Sequence, residues 1–263
     1  MSRRQQFGST GRSVLCGLTG LLSLGVPPHV QAQFSVNPVI VQIPASGADA
    51  VQLMVRNEGE NALQFRVYAL DFDVSETGEH SYWEPGTRPE SCGERIQIAP
   101  DAFSVPSGRI GTVDISLSPG PTDRTCWSMV LVETSGSIEG SIQVNQRIGV
   151  KVYGLSGEWD VSGEVLEGSV TNNEDQLHVA FTVRNDGAWP LRPDGIVEIR
   201  DVQGTLVAST PIDAFSVLPD RMRAVEVTVS NADLQPGRYL AVPILDFGVD
   251  YLSGTQIDFR IEE

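Results

Sequence analysis

The sequence predicts an all-β chain built as two immunoglobulin-like β-sandwiches in tandem, and three observations predict it. Short apolar runs alternate with polar residues at period two and are bounded by turn residues, while no segment of useful length keeps a 3.6-residue period. The chain repeats itself: Val55-Arg-Asn-Glu-Gly59 recurs as Val183-Arg-Asn-Asp-Gly187, and Phe103-Ser-Val105 followed by Arg109 recurs as Phe215-Ser-Val217 followed by Arg221. Residues 33–263 are long for one sandwich and comfortable for two of about 115 residues each.

The first half is expected to hold strands at 34–43, 50–57, 62–74, 94–98, 110–117, 126–134 and 142–153. The second is expected to hold them at 158–166, 176–184, 195–201, 205–210, 223–230, 238–246 and 256–262. Val113, Ile115 and Leu117 mark one core face in the first half, as Val225, Val227 and Val229 do in the second. Seven strands per half suit an immunoglobulin-like sandwich. The apolar alternation stops at Gly154-Leu-Ser-Gly157, where two glycines release the chain, so the domains are read as 33–154 and 155–263. Ile142 to Tyr153 is longer than most strands and carries Lys151, the only lysine in the chain; it follows a glycine- and serine-rich loop read over 135–141.

Arg3, Arg4 and Arg12 precede an apolar stretch from Val14 to Val26, and Val30-Gln-Ala32 supplies small residues for cleavage, so residues 1–32 read as a cleaved export signal. No later segment approaches the length of a membrane span. Loss of the leader moves the formal charge from -16 to -19, which argues against nucleic acid as a partner. Cys16 leaves with the leader, and in an exported compartment Cys92 and Cys126 are expected to form a disulfide. Closing a loop of about 35 residues contributes on the order of 3 kcal/mol. A metal or redox pair finds no nearby histidine to support it.

The residues give no catalytic arrangement, and no metal or cofactor is expected. His178 falls on the strand face opposite Leu177, Val179 and Phe181, and His80 lies in a turn. There is no Gly-x-Ser-x-Gly elbow to anchor a hydrolase triad. Asp71, Asp73, Ser75, Thr77 and Glu79 alternate oxygen ligands, but a calcium loop counted from Asp71 needs glycine at 76, where Glu76 stands; a polar turn is the expectation. Trp127, beside Cys126, is expected near the core or the disulfide.

Phe34-Ser-Val-Asn-Pro-Val-Ile-Val41, Val55-Arg-Asn57, Ile98 to Gly108, Cys126 to Glu133 and Gln146 to Tyr153 together resemble the amino-terminal domain of the periplasmic pilus chaperones of the chaperone-usher pathway, over residues 34–153. The resemblance implies a periplasmic chaperone whose last first-domain strand donates alternate side chains to an incomplete subunit, which is recognition by β-strand addition. On that basis Ile142, Val144, Gln146, Ile148 and Val150 are the partner-strand residues. Lys151 matches the lysine that holds a subunit's terminal carboxylate. The family's arginine partner of that lysine falls at Asn37 or Pro38, and its aromatic-arginine-proline ending is replaced by Tyr153-Gly-Leu. The implied partners are a pilus or surface protein subunit and an outer-membrane usher. The other reading of the residues is an exported two-domain envelope or surface scaffold without chaperone activity, in which this strand only closes a core.

Overall fold

A computed structural model describes residues 33–47, 50–138, 142–158, 160–173, 176–230 and 234–262. The export signal read over residues 1–32 lies outside the described residues, as do residues 139–141 and Trp159. Among the described residues no helix is long and apolar enough to cross a membrane.

The first sandwich contains β1 (Phe34–Asn37), β2 (Ile40–Pro44), β3 (Val51–Asn57), β4 (Leu63–Val74), β5 (His80–Trp83), β6 (Ile96–Ala99), β7 (Ala102–Val105), β8 (Ile110–Leu117), β9 (Cys126–Ile138) and β10 (Ile142–Leu155). One sheet runs β1-β3-β8-β6; the other runs β2-β10-β9-β4, with β5 and β7 both pairing with β4. The single strand expected at 34–43 is two strands in different sheets. It breaks at Pro38, which has no N–H to give to a ladder, and this lets β1 pair with β3 while β2 runs parallel to β10. Strands β5 and β7 are not among the expected strands: each is only four residues long, and β5 is largely exposed.

The second sandwich contains β11 (Gly163–Asn173), β12 (Gln176–Asn185), β13 (Asp194–Asp201), β14 (Leu206–Ile212), β15 (Met222–Ser230), β16 (Gly237–Asp246), β17 (Leu252–Gly254) and β18 (Ile257–Ile261). Its sheets run β11-β12-β15 and β14-β13-β16, with β17 and β18 pairing with β16. The strand expected at 158–166 starts and ends later, as β11.

Each sandwich has its own core, made by the inward residues of both sheets. Leu53, Val55, Val113 and Ile115 meet Val41, Val67, Val130, Val150 and Val152 in the first. Leu177, Val179, Phe181 and Val229 meet Val197, Ile199, Ala241 and Leu245 in the second. Complete burial of each such side chain stabilises by roughly 1.5–3 kcal/mol, and period two along each strand leaves the alternate residues for the outer faces.

The internal repeat is structural. Asn57 Nδ2 donates to the carbonyls of Asn61 and Val105 at 2.7 and 2.8 Å, while its Oδ1 accepts from Gly59 N–H at 2.9 Å. Asn185 does the same with Trp189, Val217 and Gly187, at 2.8, 3.0 and 2.9 Å. Their own N–H groups donate to Arg109 and Arg221, each at 3.0 Å.

Two local expectations are corrected. The segment read as a loop over 135–141 is strand up to Ile138, because small residues continue the antiparallel register with β10, Ser135 opposite Asn145 and Gly136 opposite Val144. Gly154 is not a linker residue: it lies buried within β10, and a Cβ there would stand 2.7 Å from Cys126 Sγ and 2.8 Å from Leu117 Cδ2. The glycine admits the bonded pair Cys92–Cys126, whose Cα atoms are 5.2 Å apart.

A third apolar cluster joins the sandwiches. Phe72, Trp127, Met129, Leu131, Tyr153 and Leu155 come from the outer face of the β10-β9-β4 sheet, and Leu218 from the other sandwich closes it, with Trp189 against its side.

Candidate functional site

Strand β10 is paired along one edge throughout and along the other only in part. It matches β9 from Ile142 opposite Ile138 to Gly154 opposite Cys126. Its pairing with β2 begins at Lys151 opposite Ile40 and ends at Leu155 opposite Pro44. Upstream of Lys151, no strand among the described residues lies on that second edge. Lys151 N–H donates to Val39 C=O at 2.9 Å, so Lys151 turns its backbone groups toward the β2 side. Backbone direction alternates along an antiparallel strand. Gly149, Arg147, Asn145 and Gln143 therefore present their N–H and C=O groups to the open edge, and the even-numbered residues bond to β9.

The side chains expected to meet a partner are distributed differently. Val150 is fully buried in the core, with Ile148 packed against it. Gln146 is half-buried, and its Oε1 accepts from Gln33 N–H at 3.2 Å. For Ile142 and Val144 the structure describes backbone pairing, opposite Ile138 and Gly136. On the outer face Arg147 bonds Glu133 across the sheet, and Tyr68 O–H donates to the same carboxylate at 2.8 Å. The Tyr68 hydrogen bond and then Arg147 hold the Glu133 carboxyl below its ordinary range.

At the end of the open edge lies a cavity of about 370 Å³ lined by residues of both sandwiches, among them Val39, Gly149, Lys151, Arg192, Ser216, Arg223 and His80. The second sandwich is brought to it by the hairpin turn between β4 and β5. Ser75 N–H donates to Glu79 C=O at 2.9 Å and Gly78 N–H to Ser75 C=O at 2.9 Å, closing a tight turn with Gly78 at φ +88°. The oxygen-rich segment from Asp71 to Glu79 thus serves as a strand end and a polar turn. Ala224 N–H of β15 donates to Glu76 C=O at 2.8 Å, which docks the turn on the second sandwich. The neighbouring Arg223 guanidinium lies flat against Gly78, where a Cβ would fall 1.5 Å from Nη1.

The cavity lining is cationic and contains no aspartate or glutamate. Lys151 Nζ donates to Ser216 Oγ at 2.9 Å. Burial holds the Lys151 ammonium below its ordinary value, and Arg192 and Arg223 act in the same direction. Burial lowers the His80 imidazole as well, with Lys151 and Arg223 contributing. Burial raises the neighbouring Tyr153 phenol. Arg223 Nη1 is buried without a hydrogen-bond partner among the described residues. Asn37 and Pro38, where the resemblance puts an arginine partner of Lys151, do not line the cavity; Val39 and Ile40 do. The further cations come from the second sandwich. Sequence reading missed Arg192 and Arg223 because they lie 41 and 72 positions from Lys151 with no motif around them.

Away from the cavity the junction is held by an acid-base group. Arg221 Nη2 lies 3.2 Å from both Asp73 Oδ2 and Glu90 Oε1, and Arg88 reaches the same Asp73 oxygen at 3.1 Å. The buried Trp127 donates its indole N–H to Phe72 C=O at 3.0 Å.

The sheets, their two cores and the shared junction define the class of protein: two immunoglobulin-like β-sandwiches in tandem. No family model matches the chain, and no curated protein matches it. Several solved structures are similar to it over most of their length. One is a chaperone-tip adhesin complex of CFA/I fimbriae biogenesis, 14% identical, covering 86% of this chain and 97% of that one, with a TM-score of 0.49. Another is the CsuC-CsuE chaperone-tip adhesion subunit pre-assembly complex from archaic chaperone-usher Csu pili of Acinetobacter baumannii, 15% identical, covering 86% and 98%, with a TM-score of 0.47. A third is the class 5 fimbriae chaperone CfaA, 12% identical, covering 85% and 97%, with a TM-score of 0.48.

Proposed function

We propose that this chain is a non-enzymatic assembly chaperone of the periplasm that captures a pilus or surface-structure subunit by β-strand addition along residues 142–150 of β10. The observation that carries this reading is the half-open edge: β10 is fully paired with β9 but meets β2 only from Lys151 onward. An unpaired edge is a template for another strand, and natural sheets usually protect such edges. The residue-level resemblance over 34–153 supports the same function, with an outer-membrane usher as the receiver of the loaded complex.

The backbone alternation shapes the partner. Backbone groups of Gln143, Asn145, Arg147 and Gly149 make the ladder, and the pairing ends at Lys151, where β2 occupies the edge. Lys151 then anchors the partner's terminal carboxylate. An added chain that ends at this point, with its carboxylate there, runs parallel to β10.

Asn145→Pro tests the reading. Proline at an open-edge position deletes an N–H that faces no described strand, so the fold should survive. The expected result is an unchanged circular-dichroism melt and loss of the subunit that co-purifies with the wild-type protein from its native periplasm. Gln146→Pro, which removes a bond to β9, is expected to lower the melt. Capture at the wild-type level by a folded Asn145→Pro variant would sink strand addition and leave the scaffold reading.

A further inference from the structure

We propose that Arg223 and Arg192, both from the second sandwich, complete the carboxylate site around Lys151, so that the anion-binding group is split between the two sandwiches and clamps them together when occupied. This rests on the strand-addition reading for its ligand, a chain-terminal carboxylate. The site itself is inferred from the cleft.

Three cations converge on one cavity whose lining has no acid, in a chain whose formal net charge is -16. Elsewhere the arginines Arg88, Arg147, Arg184, Arg200 and Arg221 each lie within 4 Å of a carboxylate. Arg223 instead rests its guanidinium on Gly78 and leaves Nη1 buried and unpaired. A buried unpaired donor is costly, and a guanidinium offers the planar fork that an ammonium lacks. Among the described residues, the Ser216 hydroxyl is the hydrogen-bond partner of Lys151. An entering carboxylate would satisfy the arginine fork and neutralise the mutual repulsion of the cations. The location selects the ligand. The open edge of β10 runs into this cavity and is blocked beyond it by β2, so the chain end that arrives there and carries negative charge is a C-terminus.

The test uses residues 33–263 and two separate readouts. A nonapeptide of alternating valine and threonine, as the free acid and as the C-terminal amide, is titrated against wild type, Arg223→Gln and Arg192→Gln. Thermal unfolding of the same proteins is followed in acetate and in chloride of equal ionic strength. Wild type should prefer the acid by about tenfold, as expected for a charge-assisted contact, and each arginine variant should reduce that to within about threefold. Amide affinity should stay unchanged in the variants, and the acetate-specific gain in Tm should be present in wild type only. The proposal is overturned if the acid preference or the acetate shift survives in both variants. An arginine-dependent acetate shift with neither peptide bound supports the split site and refutes strand addition by this probe. Equal binding of both peptides to wild type without an acetate shift supports strand addition and refutes the split site.

Discussion

Lys151 Nζ donates to Ser216 Oγ across 2.9 Å, so the only lysine of the chain is held by a hydroxyl of the opposite sandwich and, among the described residues, by no carboxylate. The ammonium is partly buried beside two arginines, and the described lining of its cavity contains no carboxylate. Such a charge costs stability.

Lys151→Met is therefore expected to raise the unfolding free energy of the empty protein by about 1 kcal/mol while abolishing carboxylate binding. The pH dependence has a defined sign. Burial first, and then Arg192 and Arg223, lower the folded-state pKa below the ordinary lysine value of 10.5. Between the two values the unfolded chain binds more protons, so wild-type stability gains from this group as pH rises through the folded pKa. The advantage of Lys151→Met should be greatest near neutrality and shrink toward pH 10.5. Urea melts at a series of pH values measure it; a variant less stable than wild type at pH 7 would show that the Ser216 bond outweighs the buried charge.

Gly78→Ala should act on the cleft by displacing one of its cations without replacing any of them. The new Cβ would sit 1.5 Å from Arg223 Nη1, and the φ of +88° is unfavourable to any side chain. A stability loss of about 1–2 kcal/mol is expected, together with loss of acid-over-amide preference like that of Arg223→Gln. Retained preference in the titration would mean that the guanidinium binds from another position.

Asn57→Ala and Asn185→Ala should be equivalent, each destabilising its own sandwich by about 2–4 kcal/mol, because each leaves two carbonyls and one N–H without their amide partner. Denaturant melts of the two variants check this. Markedly unequal losses would show that the repeat is shared in geometry but not in energetics.

Much of the architecture could be read from the residues because its causes are local. Val113, Ile115 and Leu117 alternate in the sequence and fall in one core; Leu177, Val179 and Phe181 do so in the other. Four-residue strands escape a sequence pattern, as with His80–Trp83 and Ala102–Val105, which exist through pairing with Leu63–Val74. Gly154 shows the opposite failure. Composition marked it as a hinge, whereas close approach of the Cys92–Cys126 pair makes it a buried strand residue.

The sequence by itself determined two β-sandwiches, their repeat and the long strand that carries Lys151, since period and spacing are properties of neighbours along the chain. The tertiary structure decided the rest. Among the described residues it left one edge of β10 unpaired before Lys151, because the strand break at Pro38 lets β2 cover only residues 151–155. It also gathered Arg192 and Arg223 around that lysine, because the turn at Gly78 docks on β15. Contacts between residues so far apart follow from how sheets stack, and no local pattern encodes them.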